Sequence, residues 1–173
     1  MGGLIVSKTN VKVDGSIIFL AGPIRGAPNW QDLAVQFLLL RNSELFVASP
    51  RWEVGESVAK YVLPGNQEYF SRARAWERHY FDLASKTGAV MFWLPGEANH
   101  DCQKVYGAMT RFELGQWITN YKHDKSVNLV IGSDGNFSEI HTIAYDLECD
   151  APGKKIFSSL AETCQAALDS PVS

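Results

Sequence analysis

Five short apolar runs alternate with five stretches of helical periodicity, and no other feature of the chain restricts its fold as tightly. The runs are SIIFLAG (16–22), LFVAS (45–49), AVMFWL (89–94), VNLVI (127–131) and a weaker KKIF (154–157), rich in β-branched or aromatic residues and bounded by turn formers. Between the first two, Trp30, Leu33, Ala34, Phe37, Leu38 and Arg41 fall on one helical face, with Asn29 as N-cap and Asp32 in the first turn. A second helix is expected through Ala73, Trp76, Tyr80 and Ala84, and a third through Leu114, Trp117, Ile118 and Tyr121. EIHTIAYDL and SLAETCQAALD supply a fourth and a fifth. Strands that are apolar almost throughout are buried on both faces. With helices between them they predict a doubly wound α/β domain around a five-stranded parallel sheet, flavodoxin-like or Rossmann-like in its winding.

A chain of 173 residues suits one such domain, with 1–14 read as an N-terminal extension and 170–173 as a flexible tail. In this architecture ligands bind beyond the carboxyl ends of the strands, near the point where the strand order reverses. That edge is expected to carry AGPIRGAPN, SPRWEVG and PGEANHDCQKVYGAMTR.

A net charge of −3 argues against long nucleic acid held by counterion release, while leaving small anionic ligands open to local arginines. The cysteines, Cys102, Cys149 and Cys164, are odd in number and far apart, which favours a reducing interior over a disulfide framework. No apolar run approaches membrane-spanning length, and the cytoplasm is the expected location. GxxxxGK[ST], GxGxxG and HExxH are all missing, and His79, His100, His123 and His141 show no metal-ligand spacing, so neither cofactor nor metal is expected.

The chemistry rests on carboxylates and one loop. In MTRFELGQW (109–117), Thr110 and Glu113 have capping-box spacing, which would make Glu113 structural; Gly115, costly in a young helix, is unexplained by that role. The other reading displays Glu113 at a helix start as a reactive carboxylate. In the second helix, periodicity sets Glu77 among Ala73, Trp76 and Tyr80, where a charge needs a partner such as Arg74, whereas Asp82 lies between Arg78 and Lys86 as in a surface ion pair. GPIRGAPN surrounds Arg25 with glycines and prolines and suits a phosphate or a sugar hydroxyl, or is a well-made turn.

IFLAGPIRGAPNW, WER followed by AVMFWLP, and TRFELGQW occur in this order between residues 17 and 118. Together they resemble the nucleoside 2-deoxyribosyltransferase-like family, and the Ile24-Arg25-Gly26 turn is similar to the phosphate-gripping loop of the related deoxynucleoside 5′-monophosphate N-glycosidases. The resemblance implies that Glu113 is the nucleophile that forms a covalent glycosyl intermediate. It implies a second acidic residue near the base, Glu77 or Asp82, and a role for Asp101 in orienting the nucleophile or protonating the leaving base. Ala21, Gly22, Pro23, Ile24, Arg25, Gly26, Asn29, Trp30, Trp93, Thr110 and Arg111 form the implied substrate-binding set, Arg111 either clamping a phosphate or closing the pocket. The expected activity is cleavage and transfer at the N-glycosidic bond of a 2′-deoxynucleoside, in nucleotide salvage. The alternatives are hydrolysis of (deoxy)nucleoside 5′-monophosphates and a non-catalytic nucleotide sensor. A homo-oligomer whose neighbouring subunits complete the pocket is implied as well.

Overall fold

The computed structural model describes residues 1–70 and 72–170, and the tail expected over 170–173 lies, Ser170 apart, outside the described residues. Six strands form one sheet: β1 (Gly3–Val6), β2 (Ile17–Ala21), β3 (Phe46–Ser49), β4 (Gly88–Leu94), β5 (Leu129–Ser133) and β6 (Ile156–Phe157). The helices are α1 (Trp30–Arg41), α2 (Glu56–Ala59), α3 (Ala73–Thr87), α4 (Ala108–His123), α5 (Ile140–Asp150) and α6 (Leu160–Leu168). Every strand pair is parallel and the order is β1-β3-β2-β4-β5-β6. Without β1 this is the flavodoxin-like winding, so the architecture is the expected one with a sixth strand on the edge.

That sixth strand corrects the reading of residues 1–14 as an extension. Gly3 to Val6 pair in register with Phe46 to Ser49, and Leu4 and Ile5 are fully buried. The segment that follows is laced onto α3: Trp76 Nε1 donates to the Thr9 carbonyl at 2.9 Å, and the Tyr80 hydroxyl accepts from Val11 N–H at 2.9 Å. The fourth expected strand lies two residues later than its β-branched run, because Gly132 and Ser133 pair with Trp93 and Leu94.

Alternation along β4 sorts the core into two layers. Val90, Phe92 and Leu94 face α3 and α4, with Trp76, Phe81, Leu114 and Trp117. Ala89, Met91 and Trp93 face α1 and α6, with Trp30, Leu38, Cys164 and Ala167. The chain winds from β2 through α1 to β3 on one side, then crosses through α3 to β4 on the other. The strand order therefore reverses between the carboxyl ends of β2 and β4, where a ligand crevice is expected.

Candidate functional site

Beyond the ends of β2 and β4 lies a cleft of about 510 Å³, within the roughly 300–1,000 Å³ common for small-molecule sites. Its floor is Phe19 and Ala21 of β2 with Phe81 of α3. One wall is the β2 loop from Gly22 to Gly26, another the segment from Lys104 to Thr110, and the third is α3, which contributes Arg74 and Glu77. Glu113 of α4 also lines the cleft.

Gly22 allows the β2 loop to leave the sheet as it does. Its φ of +149° is unfavourable for other residues, and a Cβ there would collide with the Trp93 carbonyl and lie 2.8 Å from the Trp30 ring. The Pro23 carbonyl accepts from Trp30 Nε1 at 2.9 Å, anchoring the loop to the start of α1. The loop is also stitched to its neighbour, because the Gly26 carbonyl accepts from both Ala98 N–H (2.8 Å) and Asn99 N–H (3.0 Å). The base of the 95–107 loop is closed by Tyr106, whose hydroxyl donates to the Pro95 carbonyl at 2.9 Å. Burial, then the charges of Asp134 and Glu97, push that phenol far above its ordinary pKa and keep it a donor.

The start of α4 overturns the capping-box reading. The helix begins at Ala108, with Gly107 as a left-handed N-cap and no side-chain cap. Thr110 is thereby the third helical residue and Glu113 the sixth, beyond the first turn in which the helix dipole acts. Glu113 is held instead by Arg74, whose Nη1 donates to Glu113 Oε1 and, at 3.0 Å, to Glu77 Oε2. The Glu113 side chain is 12% exposed. Burial raises its pKa, Arg74 opposes that rise, and the charge of Glu77 adds to it. Its ionisation is thus a contest between burial and one guanidinium rather than an effect of the helix dipole. Gly115 does not bring the helix closer to the cleft: it is exposed, and a Cβ there would have nothing within 4 Å.

Of the residues singled out in the sequence, Ala21, Gly22, Pro23, Ile24, Arg25, Gly26, Glu77, Asp101, Thr110 and Glu113 line the cleft. Five do not. Asn29 caps α1, accepting from Asp32 N–H, and its amide donates to Asp32 Oδ2 at 2.7 Å. Trp30 and Trp93 pack in the α1–α6 layer on the other side of the sheet, since Trp93 shares the phase of Ala89 and Met91. Arg111 turns away from the cleft, donating to the Ser138 carbonyl at 2.9 Å with its guanidinium over the Phe137 ring. Asp82 pairs with Lys86 at 2.7 Å and borders a smaller recess of about 230 Å³ on the other side of the Arg74–Glu113 pair.

Sequence reasoning placed Arg74 only as a local partner for Glu77 and overlooked its reach to α4. It also left out Trp52, Glu97 and Lys104, which line the cleft from segments already assigned to this edge. Their position after a strand was the available signal; which side chains turn inward was not encoded in any local period. Among the described residues, no group of three or more His, Cys, Asp or Glu side chains is placed to hold a metal ion. No helix among them is long and apolar enough to cross a membrane. No protein-family model and no curated protein matches the chain.

Proposed function

We propose that the chain cleaves the N-glycosidic bond of a 2′-deoxynucleoside, with Glu113 as the nucleophile, as in the nucleoside 2-deoxyribosyltransferase-like family that its motifs resemble. The observation that carries this reading is the situation of one carboxylate. Glu113 lines a nucleotide-sized cleft, largely shielded from solvent, with Oε1 on Arg74 and no hydrogen bond to Oε2 among the described residues. A carboxylate held by one oxygen has the other available for the anomeric carbon, and low local solvation strengthens its interaction with an oxocarbenium-like transition state.

Glu113 Oε2 would attack C1′ as the bond to the base nitrogen breaks, the electron pair leaving with the base, which is protonated by a second carboxylic acid. Water or a second base would then attack C1′ from the vacated face and release Glu113, giving net retention. Asp101 serves as that acid, because it lines the cleft and makes no ion pair among the described residues, whereas Glu77 is held as a carboxylate by Arg74 beside the nucleophile. Glu77 accepts from the same nitrogen as Glu113, so the nearest oxygens of the two are closer than the roughly 6.5–9.5 Å of inverting pairs.

The cleft rim favours a 5′-monophosphate as the substrate. Arg25 on the β2 loop and Lys104 on the 95–107 loop both line the cleft and have no ion pair among the described residues. An anion between them would be gripped from two loops. The chain would work as a homo-oligomer joined along the strip of α4 where Met109 and Phe112 are 57% and 63% exposed.

The test is incubation with deoxynucleosides and their 5′-monophosphates, with and without a second base, followed by chromatography. Free sugar or sugar phosphate reports hydrolysis; an exchanged nucleoside reports transfer. Glu113→Gln is expected to lower turnover by at least about 1,000-fold with ligand binding retained, as loss of a covalent nucleophile does. Turnover unaffected by that change, or no cleavage of any deoxynucleoside or deoxynucleotide by the parent, would overturn the reading.

A further inference from the structure

Arg74 stands where a helix does not favour it. It is the second residue of α3, near the positive end of the dipole, a helix with no acidic residue in its first turn and no side-chain cap. Its position therefore has another physical reason, and the contacts supply one. The same Nη1 donates to Glu113 on α4, 39 residues away in sequence, and to Glu77 one turn along its own helix.

We propose that Arg74 is the positioning residue for Glu113, and that Glu77 competes for it, so that the division of one guanidinium between two carboxylates sets the reactive state of the nucleophile. This inference rests on the glycosyl-transfer reading of Glu113. One positive charge faces two negative ones in a partly desolvated place, so neither carboxylate is fully neutralised. When Arg74 leans to Glu113, the carboxylate is held as an anion in a fixed rotamer. When it leans to Glu77, Glu113 is left buried without a partner and takes up a proton.

The other charges around Glu113 are distributed so that Arg74 dominates. On α3, Arg78 and Asp82 border the smaller recess, and Asp82 is engaged by Lys86 at 2.7 Å. From the β2 loop comes Arg25, and from the segment after β4 come Glu97, Asp101, Lys104 and Tyr106. Glu97 is paired with His100 at 3.0 Å. On α4 itself Arg111 is committed to the Ser138 carbonyl. Among the described residues, no cation other than Arg74 makes an ion pair with Glu113.

The two neighbours of Glu113 should shift it in opposite directions. In full-length protein labelled with carboxyl-¹³C glutamate, the Glu113 resonance is identified by its loss in Glu113→Gln. Its titration midpoint is expected to rise in Arg74→Met, to rise less in Arg74→Lys, and to fall in Glu77→Gln. In the cleavage assay the acid limb of the pH profile should move upward in Arg74→Met. There kcat should fall on the order of 100-fold with a small change in KM, the usual result of a misplaced reacting group.

A Glu113 midpoint that stays put in Arg74→Met, in protein whose circular dichroism matches the parent, would show that Arg74 merely ties α3 to α4. If Arg74→Met does not fold, Arg74→Lys decides by the same measurement. Glu77→Gln raising the midpoint would overturn the competition. The resonance reports on Arg74 even if no substrate is turned over, so failure of the catalytic reading and failure of this inference remain distinguishable.

Discussion

Glu113 works against the stability of the chain that carries it. Burial holds its pKa above the unfolded value despite Arg74. The folded chain therefore binds that proton more tightly than the unfolded one, and the residue subtracts stability as pH rises through its folded pKa. Below the unfolded pKa it subtracts nothing. Glu113→Gln is accordingly expected to raise the melting temperature at pH 8, and the gain should vanish in acid. Calorimetry of both proteins at pH 4 and pH 8 checks the sign; a fall at pH 8 would mean that the carboxylate is structural. That Glu113 needed explaining was legible from Gly115, which the capping-box spacing left unaccounted for, and that Glu77 needed a partner such as Arg74 was legible from its helical phase. The bond from Arg74 to α4 was not, because a contact between two helices has no periodic trace in either. Arg111 shows the converse: a cation two residues before the key glutamate points elsewhere, since helical residues two apart project about 200° apart, on nearly opposite faces.

Elements were readable where one face decided them. Asn29 and Asp32 fixed the start of α1, although its buried face is turned from the expected stripe, with Leu33 59% exposed and Gln31, Val35 and Leu39 buried; α4 begins two residues before the cap suggested by Thr110. Gly107 is the reason: its left-handed backbone lets it serve as an N-cap with no side chain, a signal that a search for Ser, Thr, Asp or Asn passes over. The edge strand β1 was missed because four residues, GLIV, carry too short a pattern to separate a strand from a stray apolar run. Its attachment makes a specific prediction. Tyr80, fully buried, both accepts from Val11 N–H and donates to the Val11 carbonyl at 3.1 Å. Tyr80→Phe removes both partners while keeping the ring, and should destabilise the chain by about 1–3 kcal/mol. Hydrogen exchange at Val11 should accelerate alongside; unchanged protection there would mean the segment is held by other contacts.

At the scale of the whole molecule, the winding of the sheet fixes the cleft more firmly than any motif does. The reversal of strand order between β2 and β4 brings together loops that are more than 60 residues apart in sequence, and the alternation of apolar strands with helices was enough to anticipate it. What the winding leaves open is the far side of α4, where Met109 and Phe112 stand in solvent and Met109 also borders the cleft. A second copy seated there would cover the cleft mouth. Light scattering should show an oligomer for the parent and a smaller species for Phe112→Ser, with turnover falling together with assembly. A parent that stays monomeric at micromolar concentration would refute that arrangement.

The paired main-chain bonds received by the Gly26 carbonyl have a kinetic corollary. Since the two segments they join line the same opening side by side, neither can swing outward without dragging or severing the other. Opening of the cleft on this side is thereby a joint motion of both segments, and the two bonds must break before either can move alone.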